Sequence, residues 1–128
     1  MERREIVRFT IPFLPPSMNS LYGISTKGGG VKVFLKSEGR TFKEKAKLFM
    51  PPRTIPSSLL LDVEAKVYDQ WFSVNGNVKK KDITNLDKIL MDAIAEKYLD
   101  LEDQRIWKRV IEKCDGKDKI EVVMYARN

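Results

Sequence analysis

Lys79-Lys80-Lys81-Asp82-Ile83-Thr84-Asn85-Leu86-Asp87-Lys88-Ile89-Leu90-Met91-Asp92-Ala93-Ile94 is the stretch on which the architecture of this chain turns. It begins as a charged loop and continues as a helix. Leu86, Ile89, Leu90, Ala93 and Ile94 recur at spacings of three and four, so they share one face and form a buried stripe. Asn85, Lys88, Asp92 and Glu96 repeat at the same spacings and line a polar face. The pattern predicts a helix from about Asn85 to Tyr98.

Strand signals lie on either side. Upstream, Leu61, Val63, Ala65 and Val67 alternate within a long strand predicted over Leu59 to Phe72, and Asn75-Gly76-Asn77 marks a turn after it. Downstream, strands are expected over Trp107 to Lys113 and Lys119 to Tyr125. Cys114-Asp115-Gly116-Lys117-Asp118 reads as a tight turn between them. Near the N-terminus, Ile6, Arg8 and Thr10 alternate with Val7, Phe9 and Ile11 in a first strand that stops at Pro12. Pro15-Pro16-Ser17-Met18-Asn19-Ser20 is too stiff for a helix. Gly28-Gly29-Gly30 suits a hairpin tip or loop before a short strand, Val31 to Leu35. Ser37 is the expected N-cap of a first helix, from about Glu38 to Phe49, which carries Lys43, Lys45 and Lys47 and ends before Pro51-Pro52. The order β, β, α, β, α, β, β argues for an α+β fold. We expect one domain over residues 1–128, with a mostly antiparallel mixed sheet and two main helices packed on it.

Composition bounds the chemistry. A chain of 128 residues, 42% hydrophobic and 33% charged, can bury a core without disulfides. The net charge of +6 favours a polyanionic partner, nucleic acid foremost. A single cysteine, Cys114, excludes an intrachain disulfide and a cysteine-based zinc cluster. There is no histidine. Imidazole acid–base chemistry, Ser-His-Asp triads and His-ligated metals are therefore excluded, and any metal site must use oxygen donors, which suits Mg²⁺, with Mn²⁺ as the alternative. No apolar run approaches membrane-spanning length, and the polar start Met1-Glu2-Arg3-Arg4 is unlike a secretory signal, so the expected location is the cytoplasm.

Asp82, Asp92 and Asp103 flank or lie on the second helix and alternate with Lys81 and Lys88. Carboxylates in a basic surround are what holds a divalent cation against phosphodiester. Plainer readings stand beside this one. Thr84 and Asp87 have the [ST]-x-x-[DE] form of a capping box, worth about 1 kcal/mol. Lys88 and Asp92 have the spacing of a surface ion pair. Asp82, Glu102 and Asp103 suit solvated turns. Lys79, Lys80, Lys81 and the lysines of the first helix suit a solvated face or a phosphate-tracking surface. Tyr22, Phe34, Phe42 and Trp71 suit core packing or base stacking.

The segment from Thr10 to Tyr22, with Pro15-Pro16-Ser17-Met18-Asn19 at its centre, resembles the opening motif of the RusA family of Holliday junction resolvases. Ser37-Glu38-Gly39 with Phe42 is similar to that family's entry into its first helix. Lys81-Asp82-Ile83-Thr84-Asn85-Leu86-Asp87-Lys88 with Met91-Asp92-Ala93-Ile94 resembles its central basic-D-x-D-N-x-x-K-x-x-x-D block. Leu101-Glu102-Asp103-Gln104-Arg105-Ile106 is similar to its later acidic pair, and Lys113 with the closing strands completes the pattern over nearly the whole chain.

The resemblance implies a RusA-like fold and a Mg²⁺-dependent endonuclease that acts as a homodimer on branched DNA, resolving four-way junctions by paired nicks. It implies metal-site positions at Asp82, Thr84 and Asp103, an essential lysine at Lys88 and a DNA-contacting basic residue at Lys81. Asp92 matches a recurrent acid within the helix. The expected catalytic residues are thus Asp82, Asp103 and Lys88. Asp82, Asp103, Thr84 and Asp92 are the expected metal ligands, and Lys79, Lys80, Lys81 and Asn85 the expected DNA contacts. One departure stands out: Thr84 occupies a position where the family pattern has an acid. A hydroxyl ligates Mg²⁺ but brings no charge. The alternative function is therefore a branched-DNA-binding protein of the same fold with weakened or absent turnover.

Overall fold

The computed structural model describes residues 3–19 and 21–127. Met1 and Glu2 of the polar N-terminal run, and Ser20 of the proline-rich segment, lie outside the described residues. The described elements are β1 (Arg3–Ile11), β2 (Tyr22–Ser25), β3 (Lys32–Leu35), α1 (Ser37–Lys47), β4 (Leu60–Asp69), α2 (Thr84–Tyr98), β5 (Ile106–Asp115) and β6 (Lys119–Arg127), with short 3₁₀ turns at Lys27–Gly29 and Asp103–Arg105.

β1, β6, β4 and β5 form the main sheet in that order, and β2 pairs with β3 in a separate hairpin. β6 runs antiparallel to both its neighbours, whereas β4 and β5 are parallel. The sheet is therefore mixed and mostly antiparallel, as the α+β reading expects. Parallel neighbours need a crossover, and α2 supplies it. Its sequence shows why it lies on the sheet: Leu86, Ile89, Leu90, Ala93 and Ile94 are all buried. Removing one such leucine or isoleucine side chain down to alanine costs about 2–5 kcal/mol.

Directly paired residues share a face. Phe9, Val122 and Ala65 make one row across β1, β6 and β4, and Val7, Met124 and Val63 make a second. Both rows are buried under the helices. On β5 the rows diverge: Ala65 pairs with Ile111, which still packs on the core, but Val63 pairs with Arg109 and, farther along, Val67 with Lys113. The helix-facing surface of the sheet thus gains basic residues at its β5 edge, on either side of Ile111. On the opposite face Asp62 is 1% exposed, with Arg127 Nε 3.0 Å from one oxygen and Arg3 Nη1 3.6 Å from the other. This contact joins β1, β6 and β4.

Several local expectations change. Tyr22–Ser25 is a strand that the sequence pattern does not show, because glycine interrupts its alternation. Ser37 is the first helical residue, not the N-cap; that position falls to Lys36, with no side-chain cap. The long strand stops at Asp69 rather than Phe72. The last two strands do not pair with each other, because β4 lies between them. Their short link passes over the end of β4, where Gly116 N–H donates to the Asp69 carbonyl at 3.3 Å. Gly116 has a φ of 154°, which L side chains rarely adopt, and a Cβ there would also crowd the Tyr68 ring at 3.1 Å, so glycine suits the position.

Candidate functional site

The loop that leads from β4 into α2 is fixed by contacts on both sides. Asp69, at the end of β4, is buried. Its Oδ2 accepts from Lys81 Nζ at 2.7 Å, and its Oδ1 accepts the Gln70 N–H. Trp71 is buried as well and donates its indole N–H to the Cys114 carbonyl at the end of β5, 2.8 Å away. Lys113 Nζ lies 4.8 Å above the Trp71 ring and donates to the Lys81 carbonyl at 2.9 Å. The carboxyl ends of a parallel strand pair are where α/β folds place their ligands, and this loop sits there.

Asn19 completes the frame. Its Nδ2 donates to the Lys80 carbonyl at 2.7 Å, and its Oδ1 accepts the Asp82 N–H at 3.1 Å. The side chain behaves as a backbone segment would, bridging the loop across Lys81. This residue belongs to the Pro-Pro-Ser-x-Asn segment, but its partners lie more than 60 positions away. The motif identified the residue, and only the fold identifies its task.

Asp82 comes next. Its Oδ1 accepts both the Thr84 N–H at 2.9 Å and the Thr84 hydroxyl at 2.6 Å. Those two hydrogen bonds, the hydroxyl first, hold the carboxyl below the usual aspartate range, and Lys113 adds a smaller pull. The capping box expected of Thr84 and Asp87 is absent: α2 has Ile83 at its N-cap, and Asp82 receives the first N–H instead. The helix begins one residue earlier than the capping pattern requires. Asp87 faces the sheet, is half-buried, and lies 3.3 Å from Arg109 Nε of β5. Burial raises its carboxyl, with Arg109 opposing.

Asn19, Lys79, Lys80, Lys81, Asp82, Asn85 and Lys113 line one open depression of about 490 Å³. It gathers the expected basic run, Asp82 and Asn85 in one place, and adds Asn19 and Lys113. The basic run divides within it. The Lys81 ammonium is held by Asp69, while Lys79 and Lys80 have no ion-pair partner among the described residues.

Lys88, Asp92 and Asp103 form a second group along the flank of α2. Lys88 Nζ lies 4.7 Å from the Tyr22 ring centroid, so the expected Lys88–Asp92 ion pair does not close. Lys88 still acts on Asp92 through space. The Asp92 carboxyl is raised by its burial, lowered by Lys43 and Lys88, and raised again by Asp103 and Glu96. Asp103 reaches this flank because the chain reverses after α2. Asp100 and Leu101 take positive φ values of 50° and 68°, and Leu101 N–H donates to the Ala95 carbonyl. Asp103 acts on Asp92 and not on Asp82, whose influences are Thr84 and Lys113. Among the described residues no three acidic or thiol side chains cluster as a metal cage.

The donors suit a divalent cation in kind. They are carboxylate and hydroxyl oxygens, and Asp103 adds negative charge beside the half-buried Asp92, which Lys43 and Lys88 offset in part. The first helix contributes less cation than expected: Lys43 and Lys47 both grip Glu96 of α2, at 2.7 and 2.9 Å, and serve helix packing. Phe42 and Trp71 are buried, which removes them as stacking surfaces, while Phe34 stays largely exposed.

The chain matches the family model described as Endodeoxyribonuclease RusA over residues 12–125. None of the curated proteins matches it. The matched region includes both groups of side chains and the Asn19 bridge. The family is one of Holliday junction resolvase-type nucleases that generally depend on a divalent metal.

Proposed function

Because the chain belongs to the RusA endodeoxyribonuclease family, we propose that it is a divalent-metal-dependent endonuclease that nicks four-way DNA junctions in recombination and repair, acting as a homodimer. The observation that carries this reading is the basic depression around Asp82, continued along α2 by Lys88, Asp92 and Asp103. Lys79, Lys80 and Lys113 offer ammonium groups to phosphates on either side of a scissile bond. Such contacts set position and do not read bases. Lys88, one helical turn from Asn85, offsets charge that builds on the attacked phosphate. Asp82, Thr84, Asp92 and Asp103 are the residues that would hold Mg²⁺ or Mn²⁺. When bound, such an ion supplies Lewis-acid charge and a water acidic enough to serve without a histidine base. Asn19 keeps the Lys80–Asp82 loop from rotating away, and Asp69 does the same through Lys81.

A second reading has one specific support. The Thr84 hydroxyl donates to Asp82 where an acid would have added charge. On that reading the protein grips branched DNA and turns it over slowly or not at all. One experiment separates the two. Purified protein is incubated with a labelled four-way junction or a linear duplex of matched length, in Mg²⁺ or in EDTA. Nicking of the junction alone, and only in Mg²⁺, supports the nuclease. Junction binding without nicking in either condition supports the second reading. Equal action on both DNAs contradicts both.

A further inference from the structure

The β2–β3 hairpin has one anchored end and one end that no described residue covers. At its root, Tyr22 and Leu35 are paired and half-buried, and Lys36 N–H donates to the Leu21 carbonyl. Gly39 lets α1 approach this root: a Cβ there would lie 2.5 Å from Leu35 Cδ1. Farther out, Ile24 pairs with Val33, so both project from the face that carries Tyr22 and Leu35. They are 71% and 63% exposed, and Val31 at the tip is 74% exposed. On the other face the Phe34 ring lies across Gly23, where any Cβ would meet it at 2.5 Å, and Lys32 stands two residues away. An apolar strip this exposed on a lone two-stranded ribbon gains nothing from the fold that holds it.

Charge narrows the choice of partner. Residues 21–37 contain Lys27, Lys32 and Lys36 and neither aspartate nor glutamate. Among the described residues the lysines that form ion pairs are Lys43, Lys47, Lys81 and Lys119, none of them on the hairpin. A second copy would bring the same hairpin, which carries lysines at its tip and on its opposite face and no carboxylate to meet them. A polyanion with exposed flat apolar faces satisfies both halves of the ribbon, and opened DNA at a branch point has that chemistry. The root also places the hairpin at the proposed site, since Tyr22 lies under Lys88.

We infer that the β2–β3 hairpin inserts into the branch point of junction DNA, with Ile24, Val33 and Val31 against unstacked bases and Lys27, Lys32 and Lys36 on the flanking phosphates. This rests on the junction-nuclease reading, and the test is arranged so that the two can fail separately. A four-way junction carrying 2-aminopurine beside the branch point is titrated in EDTA, where cleavage plays no part. Wild-type protein should raise the fluorescence as the base unstacks. An Ile24→Ser/Val33→Ser variant should lose that rise and bind the junction about ten-fold more weakly, while its affinity for linear duplex stays within about two-fold. Ile24→Leu should behave as wild type, which separates loss of the apolar strip from misfolding. A double variant that keeps the rise overturns the hairpin's role and leaves the nuclease reading intact. So does a double variant that sediments as a smaller species than wild type, since the strip would then join protein copies. Wild-type protein that binds junction no better than duplex removes both.

Discussion

The side-chain oxygen of Asn19 accepts the backbone N–H of Asp82 at 3.1 Å, while the same carboxamide donates to Lys80 across the loop. A residue of the proline-rich opening thereby fixes the carboxylate that starts α2. Asn19→Ala removes both bonds and leaves a carbonyl and an N–H to water. We expect about 1 kcal/mol of lost stability. Nicking of the junction should fall by about ten-fold or more through misplacement of Asp82. Thermal denaturation and single-turnover nicking measure the two. A rate unchanged in a variant that has lost stability would show that the loop needs no such brace.

Asp92 gives a dependence on pH. Its carboxyl is raised, first by burial and then by Asp103 and Glu96. Below the ordinary aspartate range the proton is bound in folded and unfolded chains alike, and there is no penalty. As pH rises from that range through the raised folded value, the unfolded chain loses its proton first, and the folded state is penalised. Asp92→Asn removes the penalty. In metal-free buffer the melting temperature of the variant relative to wild type should therefore climb between about pH 3 and pH 7. Mg²⁺ should narrow the gap by stabilising wild type. A difference that is flat with pH would mean that Asp92 carries no such strain.

Thr84 offers a substitution of opposite sense. Thr84→Asp removes the hydroxyl that donates to Asp82 and places a second negative charge beside it. Without metal the variant should melt below wild type, and Mg²⁺ should raise its melting temperature more than it raises that of wild type. If the site is a nuclease limited by one missing charge, junction nicking should also speed up. No Mg²⁺ effect on the melting of either protein would argue that these oxygens take no cation.

Glu96 tests the packing between helices. It receives Lys43 and Lys47 from α1, and although its burial opposes them, these two cations hold its carboxyl below the usual range. Glu96→Gln should cost about 1 kcal/mol, measured by denaturant titration, and the cost should shrink at high salt. A loss that salt leaves unchanged would assign the effect to packing rather than to charge.

Much of this arrangement was legible in the residues because it rests on periodicity. Leu86, Ile89, Leu90, Ala93 and Ile94 announce α2, and Leu61 to Val67 announce the strand before it. The α+β class follows from the order of such segments. The parallel pairing of β4 with β5 was not legible. A short link after β5 suggests a hairpin, whereas in the fold β4 lies between β5 and β6. The basic run and Asp82 could be read as one cluster from adjacency alone. That Lys81 spends its charge on Asp69, that Lys88 turns to Tyr22, and that Asn19 reaches the loop are long-range facts. No local pattern encodes them.

Single-turnover nicking of a labelled four-way junction in Mg²⁺, by wild type, Asp82→Asn and Asp103→Asn, addresses the proposed chemistry most directly. Each variant keeps the shape of its side chain and loses one charge. We expect nicking by wild type and a loss of about 100-fold or more in each variant, with junction binding in EDTA retained. Wild-type rates from either variant would contradict the proposed chemistry.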